Sequence, residues 1–221
     1  MPRPANGKYY LADGVTVVPS VTTITGRFKE AGGLLQWAYK QGVAGKELYE
    51  ARDIAAEAGS LVHAMVEARL KGGEPEEELL KAGSQETASQ ARQGFENYLA
   101  WESQTGMKVL SLEEPMVDEG LRYGGTPDAA TIEINGELAL ADWKTGGVYI
   151  DHLVQLAAYR HLWNANHPNA PINGGFHLVR FSRDSGDWAD HYFGELDDAF
   201  QMFKLLRDAW DFDARLKKRV K

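Results

Sequence analysis

The sequence predicts a mixed α/β fold, in which helices pack on one central mixed β-sheet. Apolar residues recur at helical spacing in the first half of the chain, as in "GSLVHAMVEARL" at residues 59–70. From about residue 107 the pattern becomes that of strands. A helical stretch at 150–166 then lies between two pairs of strands. Such an order is typical of a sheet with a crossover helix.

The first 105 residues are predicted to be mainly helical. A short strand pair around the Asp13-Gly14 turn comes first, because Asp-Gly favours a tight hairpin turn. Ser20 has the side-chain oxygen that caps a helix N-terminus, so a helix is expected to begin after it. Three longer stretches are also predicted to be helical, and they cover about 33–56, 59–71 and 85–104.

Residues 106–221 are predicted to form the sheet core and a C-terminal helix. "KVLSLEEPMV" at 108–117 has the pattern of one strand, and two hairpins follow on either side of the helix at 150–166. The final helix covers about 195–217. Since no repeat or linker interrupts the chain, residues 1–221 are expected to form a single domain.

Composition excludes several classes of protein. The chain of 221 residues has no cysteine, which excludes disulfides, thiolate zinc sites, iron–sulfur clusters and cysteine nucleophiles. We find neither a run of about 18 apolar residues nor the apolar core of a signal peptide. A cytoplasmic protein without a membrane partner is therefore expected. The net charge of −8 argues against coating of nucleic acid but permits an enzyme acting on it.

The hairpin "GGTPDAATIEINGELALADWKTGG", residues 124–147, concentrates charge at one end. We expect a three-residue loop with Gly136 left-handed, since that register collects the apolar side chains on one face. The same register places Asp128 opposite Asp142, with Lys144 on their face. Two adjacent carboxylates repel each other unless a cation lies between them, and oxygen ligands favour Mg²⁺ or Mn²⁺. The alternative is an Asp–Lys surface ion pair, with Asp128 capping a turn.

These residues support a resemblance to a known family. Pro127-Asp128, followed by Asp142-Trp143-Lys144 on the next strand, resembles the signature of the PD-(D/E)XK nuclease superfamily. Gln155 and Tyr159 resemble the Q-x-x-x-Y motif of its RecB-type exonucleases.

Two upstream features resemble the same subgroup. His63 follows a glycine on a predicted helix, as the metal-binding histidine of these nucleases does. "PSVTTI" at 19–24 is similar to an N-terminal motif of some exonucleases of the group. The subclass that holds an iron–sulfur cluster is excluded, because this chain has no cysteine.

The resemblance implies a restriction-endonuclease-like core and a DNA nuclease that depends on Mg²⁺ or Mn²⁺. It implies that His63, Asp128, Asp142 and the backbone carbonyl of Trp143 are metal ligands. Lys144 would orient the attacking water, so Asp128, Asp142 and Lys144 would be the catalytic residues. Gln155 and Tyr159 would support the site or contact DNA. Each has a plainer alternative: His63 as a structural histidine, and Gln155 with Tyr159 as a polar pair at the edge of the core.

The predicted activity is that of an exonuclease of phage or bacterial recombination and repair, acting on DNA ends or single strands. Alternatives are a structure-specific endonuclease and a non-catalytic DNA-binding recombination scaffold. The chain could also form a homo-oligomer or bind a partner protein of recombination or replication. His152 is interpreted as a surface residue, and the side chain of Trp143 as packing. Candidate cations for DNA are Arg180, Arg183, Lys217, Lys218, Arg219 and Lys221.

Overall fold

A five-stranded mixed sheet forms the centre of the fold. The structure, a computed structural model, describes residues 7–29, 32–45, 48–127 and 130–220. Its helices are α1 (Val21–Arg27), α2 (Gly32–Val43), α3 (Leu48–Leu70), α4 (Pro75–Leu79), α5 (Gln85–Thr105), α6 (Ile150–Asn166) and α7 (Asp197–Lys217). Its strands are β1 (Tyr9–Tyr10), β2 (Val17–Val18), β3 (Lys108–Ser111), β4 (Met116–Asp118), β5 (Tyr123–Gly125), β6 (Ala130–Ile134), β7 (Glu137–Lys144), β8 (Phe176–Phe181) and β9 (Trp188–Phe193).

The strand order in the central sheet is β3-β6-β7-β8-β9. Strands β7 and β8 are parallel, and the other neighbours are antiparallel. Helix α6 connects the two parallel strands, as a parallel pair requires. The predicted mixed α/β fold, with helices on a central mixed sheet, is confirmed.

Helices cover both faces of the sheet. On one face, Leu140 and Leu178 pack with α1, α6 and α7. On the other face, Ile132 and Val179 pack with α3 and α5. Strand β7 is buried from Ala139 to Trp143, so it has apolar residues on both sides.

The predicted register of the β6–β7 hairpin is wrong. Ile134 pairs with Glu137, which leaves a two-residue turn of Asn135 and Gly136, both with positive φ. This is the turn type that the Asn-Gly sequence favours. The prediction assumed one buried face, whereas β7 is buried on two, so the apolar pattern did not determine the register. The register therefore gives no argument that Asp128 shares a face with Asp142.

Three other boundaries differ from the prediction. The break between the second and third helices lies near residue 45, so α3 continues through Gly59. The stretch 108–117 forms two strands in separate sheets, with Glu113 between them at φ 49°. Residues 75–79, which lie outside the predicted helices, form the short helix α4. The Ser20 cap is confirmed, since the Thr23 N–H donates to Ser20 Oγ at 3.0 Å. None of the described helices could cross a membrane.

Candidate active site

Asp142 and Lys144 lie together at the carboxyl end of β7. They are two positions apart on one strand, so their side chains share a face of the sheet. Lys144 Nζ lies 2.5 Å from Asp142 Oδ2, and the side chains are only 21% and 8% exposed. A carboxylate buried to this degree needs a compensating charge, and the ammonium supplies it. The strand end thus holds a desolvated ion pair.

The side chain of Trp143 points to the opposite face. Its ring lies 5.9 Å from Tyr98 and 5.6 Å from Trp101, both in edge contacts. The residue is 3% exposed and belongs to the core beneath α5. The interpretation of this side chain as packing is confirmed. Its burial holds the strand so that Asp142 and Lys144 face the other way.

Helix α6 begins beyond the end of β7 and places Gln155 and Tyr159 against neighbouring elements. Gln155 Nε2 donates to Thr25 Oγ1 of α1 at 3.3 Å. Tyr159 is 6% exposed, and it packs so closely on Gly125 that a Cβ there would stand 2.8 Å from the ring. Both motif residues therefore contact other parts of the protein, and Tyr159 presents little surface to a ligand.

His152 was interpreted as a surface residue, but it lies half-buried beside the strand end. The Tyr149 N–H donates to its Nδ1 at 3.2 Å. Burial lowers the pKa of His152, the nearby Lys144 lowers it further, and Asp151 opposes the shift. The sequence did contain a signal: His152 precedes Gln155 by three positions and so shares its helical face.

His63 lines a groove of about 520 Å³ between α3 and the end of β7. Two further acidic residues line it, Glu67 on α3 and Glu113 after β3. Trp143 and Thr145, the neighbours of Lys144 in the chain, form part of the same wall. The structure thus brings His63 to the end of β7, on the face of Trp143 and not on the face of the Asp142–Lys144 pair.

Asp128 lies outside the described residues. Within the described part of the chain, no three histidine, aspartate or glutamate side chains form a group that could hold a metal ion. The predicted ligand set depends on Asp128, which follows Pro127 at the edge of the described region. The types of donor nevertheless suit Mg²⁺ or Mn²⁺, because carboxylate and carbonyl oxygens predominate.

Several predicted DNA-binding cations have protein partners. Arg180 pairs with Asp187 at 2.8 Å, and Lys217 pairs with Asp213 at 2.7 Å. The Arg183 guanidinium donates to the Ala55 carbonyl of α3, and burial lowers its pKa. Arg183 thus links the β8–β9 loop to the groove helix. Lys218 and Arg219 are exposed, and Lys221 lies outside the described residues.

Comparison with known proteins decides the family. The sequence profile of the PD-(D/E)XK nuclease superfamily matches residues 34–216, most of the chain. The chain belongs to the PD-(D/E)XK nuclease superfamily. The matched range includes the hairpin, α6 and the helix that carries His63. The predicted superfamily is confirmed.

Among solved structures, the chain resembles a protein from Eubacterium rectale that is provisionally assigned as an exonuclease. The two are 12% identical, with a TM-score of 0.48. The similarity covers 69% of this chain and 68% of the other chain. No curated protein matches the sequence.

Proposed function

We propose that the protein is a deoxyribonuclease that requires Mg²⁺ or Mn²⁺ and hydrolyses phosphodiester bonds. The observation that carries the proposal is the buried Asp142–Lys144 pair at the end of β7, in a chain of the PD-(D/E)XK superfamily. A desolvated carboxylate beside an ammonium suits a site that handles a metal ion and a phosphate together.

Four groups would hold the metal ion: Asp128, Asp142, the Trp143 carbonyl and His63. What supports the set is that Asp142 lies at the end of β7 and that the groove lined by His63 reaches Trp143 at the same strand end. When bound, such an ion polarises the phosphate and lowers the pKa of a coordinated water. The protein would contribute the charge and the shape of the site.

Lys144 would act on the reacting groups directly. Its ammonium has three donors, of which the contact with Asp142 uses one. The remaining donors can hold the attacking water and a phosphate oxygen on which charge develops. Because the side chain is 21% exposed and anchored at 2.5 Å, it is already positioned for this role.

Gln155 and Tyr159 would hold the elements around the site in place and would not contact DNA. The hydrogen bond to Thr25 and the burial of Tyr159 favour this choice. Together with the motif at 19–24, which directly precedes Thr25, they favour a RecB-type exonuclease without an iron–sulfur cluster, which acts on DNA ends. Residues 1–221 would form one domain, since α3 and α5 pack directly on the sheet.

The test is cleavage of three DNA forms by the purified chain: linear double-stranded, linear single-stranded and circular. Each is incubated with Mg²⁺, with Mn²⁺ and with a chelator. We expect degradation of linear DNA with either metal, none with chelator, and survival of the circle. Cleavage of the circle would instead identify an endonuclease. Binding without cleavage under every condition would indicate a non-catalytic scaffold.

The role of His63 is tested with a matched pair of histidine variants. His63→Gln should raise the metal concentration for half-maximal cleavage by roughly tenfold or more, as expected for a change at a metal site. His167→Gln is the control, because His167 pairs with Glu114 at the far end of α6. An equal effect of both variants would show that His63 is not a ligand.

A further inference from the structure

Helix α7 has a second apolar face, opposite the one that packs on the protein. Phe203, Leu206 and Trp210 belong to the buried face. On the other side, Met202, Leu205, Phe212 and Leu216 are 45%, 70%, 59% and 61% exposed. Large side chains exposed in a row mark an interaction surface more often than isolated ones do. We call Met202, Leu205, Ala209, Phe212 and Leu216 the α7 seam.

The spacing of the seam residues indicates that the partner is another α-helix. Successive seam residues are three, four, three and four positions apart. This is the a/d repeat of a coiled coil, in which each helix packs against another with the same repeat. The seam extends over ~21 Å, two heptads. Since α7 is already folded on the protein, pairing need not meet the cost of forming the helix.

We propose that the α7 seam binds the α7 seam of a second copy of this chain, in antiparallel orientation. The charged residues beside the seam determine the orientation. With Met202 and Ala209 at a positions, Asp208 and Arg215 occupy g and Asp213 occupies e. These flanking positions form the salt bridges that select the orientation of a coiled coil.

A parallel pair would place Asp208 beside Asp213 of the second copy, which is already paired with Arg27 at 2.8 Å and with Lys217 at 2.7 Å, so no new salt bridge would form. An antiparallel pair instead places Asp208 beside Arg215 of the second copy, twice by symmetry. The corresponding register sets Leu205 against Leu216 and Ala209 against Phe212. Apolar and charged contacts therefore favour the same arrangement.

The first test is the mass of the full chain in sedimentation equilibrium, from about 1 to 200 µM, because interfaces of modest size are weak. We expect the mean mass to rise from 24.5 kDa toward twice that value. Leu205→Glu should abolish the rise, and its circular dichroism should match the wild type because Leu205 is exposed. A monomer throughout, or a dimer that Leu205→Glu leaves intact, overturns the proposal.

A charge exchange tests the orientation. Asp208→Arg should weaken an antiparallel dimer roughly tenfold, since two attractive contacts become repulsive. Adding Arg215→Asp should restore the dimer. In a parallel dimer Asp208 would not face Arg215, so adding Arg215→Asp would not restore association. A dimer that Asp208→Arg leaves intact, or that Arg215→Asp fails to restore, therefore contradicts the proposed orientation.

Cross-linking tests the register of the helix pair independently. Introduced cysteines report on it without background, because the chain has no cysteine of its own. Leu205→Cys with Leu216→Cys should form a disulfide-linked dimer on oxidation, since these positions face each other between copies. Within one chain they are eleven residues apart on a helix, ~16 Å, too far for a disulfide. Neither single variant should cross-link. A linked dimer from Leu205→Cys alone would show a parallel pair, and no linkage from the double variant would refute the register.

Discussion

Gly59 of α3 lies against Thr145, the residue that follows Lys144. A Cβ built on Gly59 would stand 2.8 Å from Thr145 Oγ1, closer than side chains approach. The absence of a side chain at residue 59 therefore lets the helix that carries His63 approach the end of β7. The groove is narrow at this point because of one glycine.

Gly59→Ala should lower the free energy of unfolding by about 1 kcal/mol, since the new methyl group displaces a stiff β-branched side chain. The change is measured by urea denaturation. Gly42→Ala is the matched control: Gly42 is also helical and has nothing within 4 Å, so alanine should stabilise by about 0.5–1 kcal/mol. Adding Thr145→Ala to Gly59→Ala should recover the stability. Equal stabilisation by both glycine substitutions would contradict the proposed contact.

Trp143→Phe should reduce stability and leave the chemistry largely intact. The indole is buried between Tyr98 and Trp101, on the face away from Lys144. Loss of part of a buried ring should cost about 1–2 kcal/mol, less than the 3–5 kcal/mol typical of truncation to alanine. Urea denaturation measures the loss, and the cleavage rate should stay within threefold. A hundredfold loss of rate in folded Trp143→Phe would give the side chain a direct role.

Gln155→Ala should act on stability more than on DNA affinity. The substitution removes the hydrogen bond to Thr25, which is worth about 1 kcal/mol. Thr25→Val removes the same bond from the other side, together with the bond from Thr25 Oγ1 to the Val21 carbonyl, so it should cost at least as much stability. Unfolding free energies and the dissociation constant for DNA, measured without cleavage, distinguish the roles. Weaker binding by Gln155→Ala but not by Thr25→Val would indicate that Gln155 contacts DNA.

The His152 imidazole should titrate below 6.5, its usual pKa, because burial and the charge of Lys144 disfavour the protonated form. Lys144→Ala removes that positive charge and should raise the pKa. Lys29→Ala should raise it less, since Lys29 contributes the smaller effect. NMR titration measures the values, with the resonance assigned from a His152→Asn variant. An unchanged pKa of His152 in Lys144→Ala would show that the charge of Lys144 does not act on His152.

The same lowered pKa makes stability depend on pH. The unfolded chain takes up a proton at residue 152 near pH 6.5, before the folded protein does. The free energy of unfolding should therefore decline as the pH falls below about 6.5, and it stops declining below the folded pKa. His152→Asn should remove this part of the decline.

Much of the fold was predictable because its signals are local. The Ser20 cap, the crossover helix at 150–166 and the β8–β9 hairpin follow from capping chemistry and periodicity. The hairpin register was not predictable from burial, because β7 is apolar on both faces. The Asn135-Gly136 pair was the better signal, since its turn type depends only on neighbouring residues.

The candidate site was predictable in part. The pairing of Asp142 and Lys144 follows from strand alternation. The position of His152 was only indicated by its helical spacing to Gln155, because its burial depends on how α6 packs beside β7. The continuation of helix α3 through Gly59 was also not predictable, because a glycine usually weakens a helix. The contact with Thr145, which leaves no room for a side chain, explains why residue 59 is a glycine.

The central claim is that the Asp142–Lys144 pair performs metal-dependent DNA cleavage, and single-turnover rates test it most directly. End-labelled linear DNA is cleaved with saturating Mg²⁺ by the wild type and by the Asp142→Asn and Lys144→Ala variants. Matched controls are Asp187→Asn and Lys108→Ala, which alter more exposed ion pairs. We predict that both site variants fold and lose roughly 10²–10³-fold in rate, while both controls cleave like the wild type. Cleavage at the wild-type rate by folded Lys144→Ala or Asp142→Asn would contradict the account.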